Sequence, residues 1–212
     1  MRSPNETWSV VADADHLREL VGRPIQRVVD KTRATLDELD RQWLAASPVC
    51  LVATAAGDGT CDVSPKGDPP GFTHVIDERT IAIPDRPGNR RVDGFANLLE
   101  NPHVGLVFLV PGRGDSLRIN GTAQLLHDAS FFAELVVDGH RPRLVLVVDI
   151  EEVFYHCSKA FLRASLWDPA SWAPEAVPSR ARIARALEQP EASLEALEEH
   201  YGPRYAERLY RD

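Results

Sequence analysis

The chain has 212 residues, of which 43% are hydrophobic and 26% charged, and it carries a formal net charge of -8. This is the composition of an ordinary globular protein, with chain enough for one substantial core. The acidic balance argues against broad nucleic-acid binding, which shows as a basic domain or stripe, and no apolar run approaches the roughly 20 residues that span a bilayer.

The opening, MRSPNETWSVVADADHLREL, has one early arginine followed by acids and lacks the apolar stretch of a signal peptide, so cytoplasmic residence is expected. Residues 1–47 read as a helical segment packing on the strand-rich region beyond it. Ile25, Val28, Val29, Leu36, Leu39, Trp43 and Leu44 recur at spacings of three and four. Pro24 suits a helix start, and Ser47-Pro48 a stop.

From Pro48 the pattern turns to strands. VCLVATAAGDGTCDVSPKG is a β-rich run, a Gly-Asp-Gly turn and a second run, hence a hairpin. RTIAIP is another strand. NRRVDGFANLLENP puts Val92, Phe95, Leu98 and Leu99 on one helical face, with Asn89 as cap. HVGLVFLV is almost wholly apolar and is expected to be buried on both faces. A PGRGDS turn leads into LRINGTAQLL, ASFFAELVVDG reads as a short helix, RLVLVVDIEEVFYHC as a long strand and SKAFLRASLW as helical. A linker, WDPASWAPEAVPS, precedes mixed-charge helices broken near Pro190 and Gly202-Pro203. The tight turns and the missing β-α-β-α rhythm predict an α+β fold, a small antiparallel barrel with helices at both ends. The predicted division is residues 1–47, a barrel over 48–168, and a linker with C-terminal helices over 169–212, all within one overall domain.

Several functions lack their signatures. Cys50, Cys61 and Cys157 are widely spaced with no CxxC pair, so neither a zinc site nor a disulfide framework is expected. His156-Cys157 falls on opposite faces of a strand and reads as structural rather than metal-binding. Arg113–Asp115, an Arg-Gly-Asp tripeptide, reads as a turn. There is no GxxxxGK[ST] and no GxGxxG.

One stretch stands against the overall charge. IPDRPGNRRVDGFANLLENP gathers Arg86, Arg90 and Arg91 where a helix is expected to begin. A helix N-terminus carries about half a positive charge and favours acids, so arginines in its first turn are unfavourable. Two arrangements resolve this. The arginines lean into solvent and pair with Asp85 or Glu100, or a dianion sits at the terminus and takes the arginine forks together with the backbone N–H groups. A second polar element lies in DVSPKGD, where Asp62, Ser64 and Lys66 share one strand face and Pro65 marks an edge or bulge. That face suits a polar ligand, or is a solvated outer face.

Together these motifs resemble the pyridoxamine 5'-phosphate oxidase-like family of FMN-binding split β-barrels. The resemblance rests on Asp62–Phe72 (DVSPKGDPPGF) and Ile83–Asp93 (IPDRPGNRRVD), and continues through NLLENPHVGLVFLVPGRGDSLRINGTA and CSKAFLRASLW. It is to the branch of probable FMN-dependent enzymes and covers residues 48 to 168.

The resemblance implies a homodimer with FMN in two clefts between subunits, acting as an oxidoreductase on an unknown small molecule, without nucleic acid or membrane. Val63, Ser64, Pro65 and Lys66 would run beside the ring system and ribityl chain, and Ile83 and Pro84 would contact the flavin. Asn89, Arg90 and Arg91 match the element that holds the phosphate. Ser116 falls near a family glutamine that reaches the flavin. Lys159, Arg163 and Trp167 lie in an element that closes the cleft, and Lys66 is the candidate charge for tuning the flavin. The family's C-terminal substrate pattern has no convincing match in this tail, so vitamin B6 is not carried over as substrate. The alternatives are a flavin-binding module without turnover, the same barrel holding deazaflavin F420 or haem, and a plain interaction domain.

Overall fold

The computed structural model describes residues 8–210. Residues 1–7 and 211–212, which belong to the predicted N-terminal and C-terminal segments, lie outside them. By their contacts the residues divide into a unit ending at Thr32 and a unit starting at Arg33.

In the first unit, α1 (Ala14–Val21) starts where the Asp13 side chain accepts from the His16 N–H and stops at Gly22, whose φ is 78°. The short α2 (Gln26–Val29) starts two residues beyond Pro24, the predicted starter. Neither helix buries a residue.

The second unit opens on an interaction that sequence spacing hid. Residues 30–37 are not helical, because Asp37 and Asp40 form a reciprocal capping box that begins a new helix, α3 (Glu38–Ala46). Trp43 and Leu44 of α3 are buried, whereas Leu39 faces out. The Asp40 carboxylate accepts from both Arg33 nitrogens, at 2.6 and 2.9 Å, and from the Asp37 N–H at 2.7 Å.

Seven strands come next: β1 (Val49–Ala55), β2 (Cys61–Gly67), β3 (His74–Val75), β4 (Thr80–Pro84), β5 (His103–Leu109), β6 (Ser116–Leu126) and β7 (Val145–His156). All pairings are antiparallel, in the order β2-β1-β5-β6-β7-β4-β3. The antiparallel sheet with flanking helices is therefore present. Its ladder has two free ends, a Pro65-bearing edge at β2 and the two-residue β3, so hydrogen bonding does not close it into a barrel.

Apolar residues alternate along β1, β5 and β6 and pack with α3 and with α4 (Asp93–Glu100) in one core that includes Leu44, Val52, Leu106, Phe108, Ile119, Phe95 and Leu98. Burying each such side chain contributes about 1.5–3 kcal/mol. Only one face of β5 reaches this core. Val104, Leu106 and Phe108 are buried while Gly105, Val107 and Leu109 are half-buried, contrary to the expectation from its continuous apolar run. The strands buried on both faces are β4 and the first part of β7, because a 3-10 turn over Ser130–Leu135 lays Phe132 and Leu135 against Ala82, Val145 and Val147 on their second side. Between Asn120 and Gly121 the register with β7 shifts, leaving Glu151 of β7 unpaired as a bulge that bends that strand.

Beyond β7 come α5 (Lys159–Arg163), α6 (Arg180–Leu187) and α7 (Leu194–His200). The last two pack on each other through Ala181, Ala184 and Leu197. No helix among the described residues is long and apolar enough to cross a membrane.

Candidate functional site

The period of two along edge strand β2 turns Asp62, Ser64 and Lys66 toward half-buried surroundings and Val63 and Pro65 outward. Ser64 Oγ donates to Asp62 Oδ2 at 2.6 Å. Lys66 Nζ donates to Asp85 Oδ1 at 2.6 Å and lies 4.4 Å from the centre of the Phe95 ring. The polar face of β2 thus points at the loop after β4, and it is not simply solvated.

That loop corrects the expected helix start. Residue Val92, not Asn89, holds the cap position, and α4 begins at Asp93, an acidic residue suited to the dipole. Asn89 Oδ1 instead accepts from the Arg91 N–H at 2.9 Å, shaping a turn in which Arg90 has φ 60°. Arg90 and Arg91 therefore precede the helix, so the conflict expected from placing them in its first turn does not arise. Arg91 pairs with Asp93 at 2.5 Å, and hydrogen bonding to that carboxylate raises its pKa. Arg90 is exposed and has no ion-pair partner among the described residues.

Arg86 has a different fate. Its Nε meets Asp68 Oδ2 at 2.5 Å, and its terminal nitrogens donate to the carbonyls of Leu135 at 2.8 Å and His140 at 3.4 Å. Only 12% of its side chain and 2% of that of Asp68 are exposed. This guanidinium is committed to protein and ties three segments together.

Gly94, in the first turn of α4, lets the helix approach β2. A Cβ there would stand 2.7 Å from Asp62 Oδ2. Between β2, the 84–95 segment and the loop over residues 139–144 lies a cleft of about 890 Å³, within the ~300–1,000 Å³ usual for small-molecule sites. Its lining carries six arginine or lysine side chains against three aspartates, a local excess of positive charge in an acidic protein.

Of the residues singled out from sequence, Val63, Ser64, Pro65, Lys66, Pro84, Asn89, Arg90 and Arg91 meet at this cleft. Ile83 is buried in the core immediately behind Pro84. Ser116 is buried at the start of β6, opposite His156, and does not line the cleft. Lys159 and Arg163 are exposed on α5 and are likewise outside the lining. The Trp167 indole N–H donates to the Arg113 carbonyl at 2.7 Å, fastening that element to the turn before β6.

Sequence reasoning missed the loop Gly139–Leu144, which brings His140, Arg141 and Arg143 to the cleft, and Tyr210, which also lines it. The pattern Arg-Pro-Arg was visible as a local basic pair. Nothing in the order of residues announced Tyr210.

Fold and cleft define a class: an α+β protein on a seven-stranded antiparallel sheet, with a cation-lined cleft against its edge strand β2. The match to the pyridoxamine 5'-phosphate oxidase family runs over residues 36–157, more than half of the chain, and the chain belongs to that family. Among solved structures it is similar to HupZ of Group A Streptococcus, at 18% identity over 57% of this chain and 93% of that one, with a TM-score of 0.46. It is also similar to a Clostridium acetobutylicum protein related to general stress protein 26, at 20% identity over 57% and 90%, TM-score 0.43. An FMN-binding protein from Syntrophomonas wolfei subsp. wolfei shares 14% identity over 56% and 89%, TM-score 0.42. No curated protein matches the chain.

Proposed function

We propose that the protein is an FMN-dependent oxidoreductase acting on a small molecule, with its sheet working as a split β-barrel in a homodimer. The observation that carries this reading is Arg90, an exposed guanidinium without a carboxylate partner among the described residues, held in a left-handed backbone conformation at the rim of a cleft. Such a conformation is costly for a residue other than glycine and marks a functional candidate.

The donor set fits the cofactor. A phosphate dianion takes the Arg90 fork, with Arg91 beside it, at the approach to the N-terminus of α4. The face of Ser64 and Lys66 offers a hydroxyl and an ammonium to the ribityl chain or the polar edge of the ring, and Pro84 offers an apolar contact. FMN held there would supply the hydride-accepting and electron-transferring chemistry. The chain's own part is to bind, orient and set the charge around it. Lys66 is neutralised in part by Asp85, so its influence on the ring is tuned by that carboxylate. In a homodimer, the exposed Lys159 and Arg163, which lie outside the cleft lining, are the residues available to complete it from the second copy.

The test is the absorbance spectrum of the purified protein, before and after incubation with FMN. A flavin spectrum, bleached by a reductant and restored by air, is the expected result. A deazaflavin or haem spectrum would replace the cofactor, and a colourless protein that takes up no FMN would remove the reading. Bound flavin that no reductant or substrate panel changes would leave a binding module without turnover.

A further inference from the structure

The geometry points to Tyr210 as a positioning residue that latches the C-terminal helical segment onto the cleft rim. Through Asp68 and Arg86, it steadies the loop carrying Arg141 and Arg143. Three contacts from distant parts of the chain meet on this side chain. Its hydroxyl donates to Asp68 Oδ1. Its ring stacks on His140, with centres 5.7 Å apart and planes 26° from parallel. The Arg86 guanidinium lies 5.8 Å from its ring centre.

Arg86 is the hub through which Tyr210 acts. A guanidinium presents its N–H groups in a rigid fork, so whatever fixes one side aims the other. Asp68 fixes the Nε side, and the two terminal nitrogens hold the carbonyls of Leu135 and His140. Those carbonyls lead into the loop that forms one wall of the cleft. Tyr210 occupies the second oxygen of a carboxylate that is almost wholly buried. Without that donor the oxygen loses its partner, and the carboxylate is free to turn away from Arg86. Hydrogen bonding to Asp68, then burial, pushes the phenol up to about 12, so it remains a donor over the working range of pH.

The proposed function needs nothing after residue 168. The latch gives the segment ending at Tyr210 a role, and it rests on the flavin reading only for its ligand measurement.

The test uses the full chain with Tyr210→Phe, which keeps the ring and loses the hydroxyl, and Tyr210→Ala, which loses both. Amide hydrogen exchange is followed in ligand-free protein. Exchange over residues 135–144 should quicken about tenfold in Tyr210→Phe and further in Tyr210→Ala, with β1, β5 and β6 unchanged. Unaltered exchange over 135–144 would overturn the latch. So would an acceleration spread over the whole sheet in Tyr210→Phe, the variant that decides if Tyr210→Ala unfolds. FMN should dissociate faster from both variants, and equal rates would overturn the part that concerns the ligand. A wild-type protein that binds no FMN refutes the cofactor while the exchange comparison still judges the latch.

Discussion

Lys66 Nζ stands 2.6 Å from Asp85 Oδ1, joining the edge strand to the loop after β4 across one side of the cleft. Both side chains keep roughly a quarter of their surface, so the pair is wet enough to exchange partners with an incoming anion. Asp85→Asn should free the ammonium and tighten FMN binding, whereas Lys66→Met should weaken it roughly five- to thirty-fold. Flavin fluorescence titration measures both. Equal losses in the two variants would show that the pair braces the cleft and does not serve the ligand.

Arg90 separates backbone cost from ligand binding. Arg90→Gly removes the penalty of a positive φ, about 1 kcal/mol, against a comparable entropic cost in the unfolded chain, so the melting temperature should hold or rise slightly. FMN affinity should fall about tenfold to a hundredfold, and riboflavin, which lacks the phosphate, should be nearly unaffected. Calorimetry with the two ligands checks this, and parallel losses would mean that Arg90 supports the loop.

The bulge at Glu151 of β7 depends on Gly121 across the ladder. A Cβ there would lie 2.0 Å from the Asp149 carbonyl oxygen, a clash with backbone that no rotamer relieves. Gly121→Ala should therefore cost about 3–5 kcal/mol, read from denaturant unfolding. Gly112→Ala, where nothing stands within 4 Å, should cost only the roughly 1 kcal/mol of its left-handed backbone.

Asp40 predicts the acid limb of stability. Burial works against its charge, but hydrogen bonds from Arg33 and the Asp37 N–H win and hold its pKa below the usual carboxylate value. Folding therefore gains from this group above the unfolded pKa, and the gain is lost as pH falls through the depressed folded value. Asp40→Asn should destabilise by about 2–3 kcal/mol at pH 7, a value reduced because Arg33 is about one-third exposed. Melting curves of the two proteins should converge as pH drops below that range, and a constant gap would contradict the assignment. The neighbouring Tyr155 hydroxyl, pushed up to about 12 by burial and then by Asp40, stays protonated throughout.

Much of this molecule was legible in the order of its residues. The Gly-Asp-Gly turn announced the hairpin of β1 and β2, Pro65 announced an edge, and alternation placed Ser64 and Lys66 on one face, because each arises from local backbone rules. The acidic Asp93 could have marked the helix start, yet the apolar spacing of Val92, Phe95 and Leu98 drew the boundary too early. Periodicity locates a face better than an end. The apolar run of β5 was misread for a related reason, since composition does not say which face a neighbouring element will cover.

Local backbone rules were enough to read antiparallel strands with flanking helices, the turns, and the crowding of positive charge beside one helix. Tertiary structure alone decided which of those charges is free. Arg86 is taken by Asp68 and by carbonyls about 50 residues away, Arg91 by Asp93, and Lys66 by Asp85, while Arg90 has no ion-pair partner among the described residues. The reason is that the energy of an ion depends on its distance to other charges and on its exclusion from water, and folding sets both.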